Sequence, residues 1–138
     1  MIEKLKIVLA DTYALYLKTQ NYHWNVEGKD FFALHGVFEE QYEALADAVD
    51  EIAERVRMLG DKVDATFKAF DAIKTVSDAD HSLDSNKMVQ DLHDDHVALN
   101  RQLHTLLDDG VDIGTEELIE GRIVYHEKQI WMLASYLK

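Results

Sequence analysis

The chain has 138 residues, 47% apolar and 30% charged. That balance builds a packed core, excludes a disordered or collagen-like chain, and at this length predicts one domain over residues 1–138. The absence of proline and of cysteine removes the turn chemistry of most all-β proteins, disulfides, thiolate metal sites and a cysteine nucleophile, so any metal must be held by His, Asp and Glu. Twenty-seven acidic residues against fourteen basic ones give a net charge of −13, which repels nucleic acid and anionic membranes and favours cations.

Four long stretches carry helical periodicity. The first covers residues 3–26, with Leu5, Val8, Leu9, Thr12, Leu15, Thr19, Tyr22 and Val26 on one stripe. Glu3, Asp11 and Lys18 interrupt it and no small-residue cleavage site follows, so it predicts neither a signal peptide nor a membrane span and the expected location is cytoplasmic. After Glu27-Gly28-Lys29-Asp30, a second helix runs to about Leu59, with Leu34, Phe38, Leu45, Val49, Ile52 and Val56 along its stripe and Gly60 as its stop. Residues 61–84 form a longer connection in which Ala65, Phe67, Phe70 and Ile73 suit one short helix. A third helix begins near Ser85, with Val89, Leu92, Leu99, Leu103 and Leu106 apolar, and a fourth follows Gly114, with Thr115 as its expected N-cap and Glu116 and Glu117 in its first turn. The short first and last links make antiparallel hairpins. The long middle connection suits the crossover of an all-α, ferritin-like four-helix bundle, with an up-down-up-down bundle open on periodicity alone.

On the second helix, His35 borders the apolar stripe and Glu39, Glu43, Asp50 and Glu54 follow it up one flank. Such a line suits either a solvated face or a metal site. His23, in Asn21-Tyr22-His23-Trp24-Asn25 near the end of the first helix, falls close to His35 across the hairpin. His35 and Asp50 are fifteen residues apart, roughly 22 Å along a helix, whereas two ligands of one ion each lie about 2 Å from it. If His23, His35, Asp50 and Glu54 act on one metal, the acids must come from another subunit across a two-fold axis. No histidine has a glutamate three residues before it, which disfavours an ordinary intrachain di-iron centre of the Glu-x-x-His type. On the third helix, His93, His96, Asn100 and His104 form a stripe that suits either chelation or a mixed polar face.

The run Asn21-Tyr22-His23-Trp24-Asn25-Val26, then His35-Gly36, then Asp50-Glu51-Ile52-Ala53-Glu54, and the C-terminal His126-Glu127-Lys128-Gln129-Ile130-Trp131-Met132-Leu133 resemble the Dps family of mini-ferritins across essentially the whole chain. The resemblance implies a ferroxidase: a dodecameric shell of 23 symmetry that oxidises Fe(II), preferably with hydrogen peroxide, and deposits ferric oxide inside, protecting against oxidative damage. It implies two irons per inter-subunit site, with His23 and His35 from one subunit, Asp50 and Glu54 from its two-fold mate, Glu39 as a weaker ligand, and Trp24 beside the site as an electron relay. It places Glu116, Glu117 and Glu120 at three-fold pores, where acids draw Fe(II) inward. Imidazole with carboxylate suits iron, zinc or cobalt rather than magnesium or calcium. The runner-up reading is a nucleoid-associated DNA-binding stress protein. Members that condense DNA use basic terminal tails; none is expected here, and twelve chains at −13 each would carry −156, which disfavours direct DNA binding.

Overall fold

The computed structural model describes residues 1–138 and contains five helices and no strand: α1 (Ile2–Asn25), α2 (Phe31–Met58), α3 (Phe67–Ile73), α4 (Ser85–Asp109) and α5 (Ile113–Leu137). Apolar residues of the four long helices form one core, in which Leu5, Leu15, Phe38, Leu45, Ile52, Leu92, Leu99 and Leu103 are at most 1% exposed. Each such side chain contributes roughly 1.5–3 kcal/mol on leaving water. Gly28, Gly60 and Gly110 all have positive φ, and the last two end α2 and α4 as left-handed stops. Asp84 and Thr66 cap α4 and α3 by accepting from the amides of Lys87 and Ala69 at 2.9 and 3.0 Å.

Helix contacts settle the connectivity. α1 packs along α2, α4 along α5, and the two hairpins join through α1 on α4 and α2 on α5, whereas α2 and α4 have no contact. In an up-down-up-down bundle, helices joined in sequence would be neighbours; here α2 and α4 are diagonal, which requires the crossover of the ferritin-like fold. Asp11, fully buried in α1, pins that crossover: it accepts from the Thr75 amide at 2.5 Å, the Thr75 hydroxyl at 2.6 Å, the Val76 amide at 2.9 Å and Gln102 Nε2 at 2.7 Å. A second buried polar group spans the same layer. Lys18 Nζ lies 3.1 Å from Asp91, 2.8 Å from Asp95 and 3.0 Å from Ser77 Oγ. The short helix α3 buries none of its residues, and Phe67 is 80% exposed.

One boundary differs from expectation. α5 begins at Ile113, with Asp112 as the N-cap residue rather than Thr115. The Thr115 hydroxyl donates to Asp112 Oδ1 at 2.6 Å and accepts from Arg55 Nε at 2.9 Å, and Arg55 also pairs with Asp112. This clasp winds the chain into helix earlier, so Glu116 stays in the first turn and Glu117 does not. Gly114 permits it, since a Cβ there would stand 2.7 Å from Arg55 Nη2.

Candidate metal centre

The sequence brings two histidines to the turn between α1 and α2, and the fold locks them face to face. The rings of His23 and His35 stack with centroids 3.7 Å apart and planes within 15°. His23 Nδ1 lies 2.7 Å from the His35 carbonyl, and His35 Nδ1 lies 2.7 Å from the His23 carbonyl. A carbonyl only accepts, so each Nδ1 carries the proton and donates, and each Nε2 keeps its lone pair. The His23 carbonyl is available because it sits in the last turn of α1, where a helix leaves acceptors open. This is the arrangement by which metal-binding imidazoles are oriented from behind.

Neighbouring side chains hold the pair from both sides. Phe31, one turn before His35, stacks on it at 4.9 Å, and Tyr42 meets the edge of His23 at 5.2 Å. Both were visible in the sequence only as spacing on α2, Phe31 at i−4 from His35 and Tyr42 at i+3 from Glu39, and neither was anticipated as part of the site. Glu39 Oε1 lies 3.9 Å from His23 Nε2. Burial, with the charges of Glu39 and Glu43, raises the Tyr42 phenol above its ordinary value. His23 is buried, His35 half-buried and Glu39 exposed; Trp24, next in the chain, is 61% exposed and points away from the core.

Asp50 and Glu54 are exposed on the same helix, four turns further on. They act on each other: hydrogen bonding of the protonated Glu54 carboxyl to Asp50, followed by the Asp50 charge, raises Glu54 above the usual range. Two carboxylates held this close favour either a shared proton or a cation. Within the chain the structure brings together His23, His35 and Glu39, brings together Asp50 and Glu54 separately, and keeps the two groups apart along α2. Nowhere in the chain do three or more His, Asp or Glu side chains gather tightly enough to hold an ion. Glu116, Glu117 and Glu120 are exposed on the opening turns of α5.

The stripe on α4 does not act as a unit. His96 is fully buried, with Nδ1 2.8 Å from Nδ1 of His126 on α5, whose Nε2 faces Arg122 Nη2 at 3.3 Å. Burial, then the Arg122 charge, pushes His96 down to about 3, and burial also lowers His126 well below its ordinary value. Both are neutral core groups. His93 pairs with Asp94 at 3.0 Å, and His104 turns towards α5.

Over residues 2–138 the chain matches the Ferritin-like domain family. It is 35% identical to the general stress protein 20U of Bacillus subtilis over 140 residues, covering 99% of this chain and 97% of that protein. It is 34% identical to the DNA protection during starvation protein 2 of Bacillus anthracis, covering 99% and 96%. Among solved structures it is similar to a Dps protein from Vibrio cholerae O1, described as a member of a broad superfamily of ferritin-like diiron-carboxylate proteins, with a TM-score of 0.95, 34% identity and coverage of 99% of this chain and 88% of that one.

Proposed function

Because the chain belongs to the Dps family of ferritin-like proteins, we propose that it oxidises ferrous iron, preferably with hydrogen peroxide, and stores the product as a ferric oxide core inside a dodecameric shell of 23 symmetry. The observation that carries this reading is the reciprocal ring-to-carbonyl bonding of His23 and His35, which leaves two imidazole lone pairs together beside Glu39. Asp50 and Glu54 stand too far along α2 to reach them, so a two-fold-related subunit supplies the matching acids, and each dimer carries two equivalent centres. His23, His35, Asp50 and Glu54 are the ligands; Glu39 is a weaker one, directly or through water.

Two Fe(II) ions at one centre give one electron each to a single peroxide. Its O–O bond breaks to the level of water, no hydroxyl radical is released, and hydrolysis of the two Fe(III) ions to oxyhydroxide frees four protons. A lone Fe(II) supplies one electron and leaves a hydroxyl radical. Trp24, next to His23 in the chain, surrenders an electron when the second iron is missing. Glu116, Glu117 and Glu120 draw Fe(II) towards the interior through their field. The net charge of −13 opposes direct contact with DNA.

A complementation experiment tests the shared centre. The double variants His23→Ala/His35→Ala and Asp50→Ala/Glu54→Ala are each expected to lose rapid peroxide-driven Fe(II) oxidation. Co-assembled at equal amounts, they should recover about a quarter of the wild-type centres, because a site is intact when one chain supplies histidines and its mate supplies acids. No recovery in mixed assemblies of normal size would overturn the shared site.

A further inference from the structure

His104, Asn100 and Glu127 lie on the other hairpin of the bundle, where α4 and α5 run side by side. His104 Nε2 and Asn100 Nδ2 both approach the same oxygen, Glu127 Oε2, each at 3.4 Å. Both separations are long for hydrogen bonds to a carboxylate, which settle near 2.7–3.0 Å. They match a different geometry: two donors bound to one ion at about 2.1 Å with a tetrahedral angle between them stand roughly 3.4 Å apart. His104 and Asn100 are one helical turn apart, so one face of α4 presents both to Glu127.

Two further features favour a cation there. No lysine or arginine pairs with Glu127; the one basic side chain within 4.0 Å of it is His104. Asn100 Oδ1 is shielded from water and has no hydrogen-bond partner. Turning the Asn100 amide over would exchange its nitrogen and oxygen and present that unpartnered oxygen beside the Glu127 carboxylate. The three donors would then be an imidazole nitrogen, a carboxylate oxygen and an amide oxygen. His104 and Glu127 are each about half exposed, at 53% and 55% of their side-chain surface, so an ion can enter directly and water can complete its coordination.

We propose that His104, Glu127 and Asn100 form a surface site for a borderline transition-metal dication such as Zn(II) or Co(II), separate from the His23–His35 pair. Imidazole in the set selects against magnesium and calcium, which take oxygen donors. The site needs no partner subunit for its ligands and does not depend on the iron chemistry proposed above.

The test is zinc binding to the intact protein, read by anomalous diffraction from crystals soaked in Zn(II) and by competition with a chromophoric chelator in solution. The expected result is an anomalous peak within bonding distance of His104 Nε2 and a Glu127 oxygen. His104→Ala and Glu127→Gln should each lose one zinc equivalent per chain, and Asn100→Ala should weaken that equivalent several-fold. All three residues are on the surface or at its edge, and helix content measured by circular dichroism shows whether each variant is folded. His104→Ala should leave Fe(II) oxidation unchanged. Density for zinc only elsewhere, or equal zinc binding by wild type and folded His104→Ala, would overturn the site.

Discussion

Replacing His35 by asparagine and by alanine separates two roles of one ring. The asparagine amide nitrogen reaches the position of imidazole Nδ1 and can still donate to the His23 carbonyl, now 2.7 Å away, but it places nothing at Nε2. Alanine removes both groups. A neutral hydrogen bond of this kind is worth about 1 kcal/mol, and stranding a shielded carbonyl costs about 1–3 kcal/mol. Stacking of His35 on His23 and Phe31 adds roughly 0.5–1.5 kcal/mol for each pair. His35→Ala should therefore lose about 2–6 kcal/mol of stability and His35→Asn about half of that. Both should lose rapid Fe(II) oxidation by at least the roughly 10–100-fold that follows when even an orienting partner of a metal ligand is removed. Denaturant unfolding reads the first quantity, and stopped-flow ferric absorbance after peroxide addition reads the second. Wild-type oxidation by His35→Asn would refute the role of Nε2. Equal destabilisation by the two substitutions would refute the assignment of the proton to Nδ1.

The helices were legible in the sequence because, with no proline to break them, the apolar stripes repeat every three or four residues over the length of each helix. Helix connectivity was less legible. It depends on which helices touch, and the residue that fixes the crossover, Asp11, reads in the sequence as one more acid among twenty-seven. The pairing of His23 with His35 follows from a short hairpin, but ring orientation does not, since it requires an open backbone carbonyl at the end of α1. Thr115 misled as an N-cap because its hydroxyl serves Asp112 and Arg55 from inside the first turn. The α4 histidines divide between two surroundings for a geometric reason. His93 and His104 lie within about 20° of each other around the helix axis, whereas His96 is about 60° away, enough to place it in the core against His126.

Two further perturbations probe the charge distribution. Changing Glu116, Glu117 and Glu120 together to glutamine should slow iron uptake by up to about tenfold at low ionic strength, with the difference shrinking as salt screens it; uptake measured across a salt series would show no such convergence if these acids do not steer the ion. Lys18→Met tests the buried charge cluster and carries a pH signature. The Lys18 side chain is 1% exposed against Asp95 at 13% and Asp91 at 28%, and removing one partner of a buried pair costs about 3–5 kcal/mol. Burial raises Asp95 from an ordinary 3.8 to about 6 even though Lys18 pulls it down. The folded state thus binds a proton more tightly than the unfolded chain, and this contribution to stability is present below pH 4 and lost as the pH rises through 6. Without the lysine the Asp95 carboxyl titrates higher still. Lys18→Met should therefore be destabilised more at pH 8, where two carboxylates face each other unpaired, than at pH 5, where Asp95 takes up a proton. A loss of equal size at both pH values, measured by denaturant unfolding, would mean that the lysine acts through its packed methylenes and not through its charge.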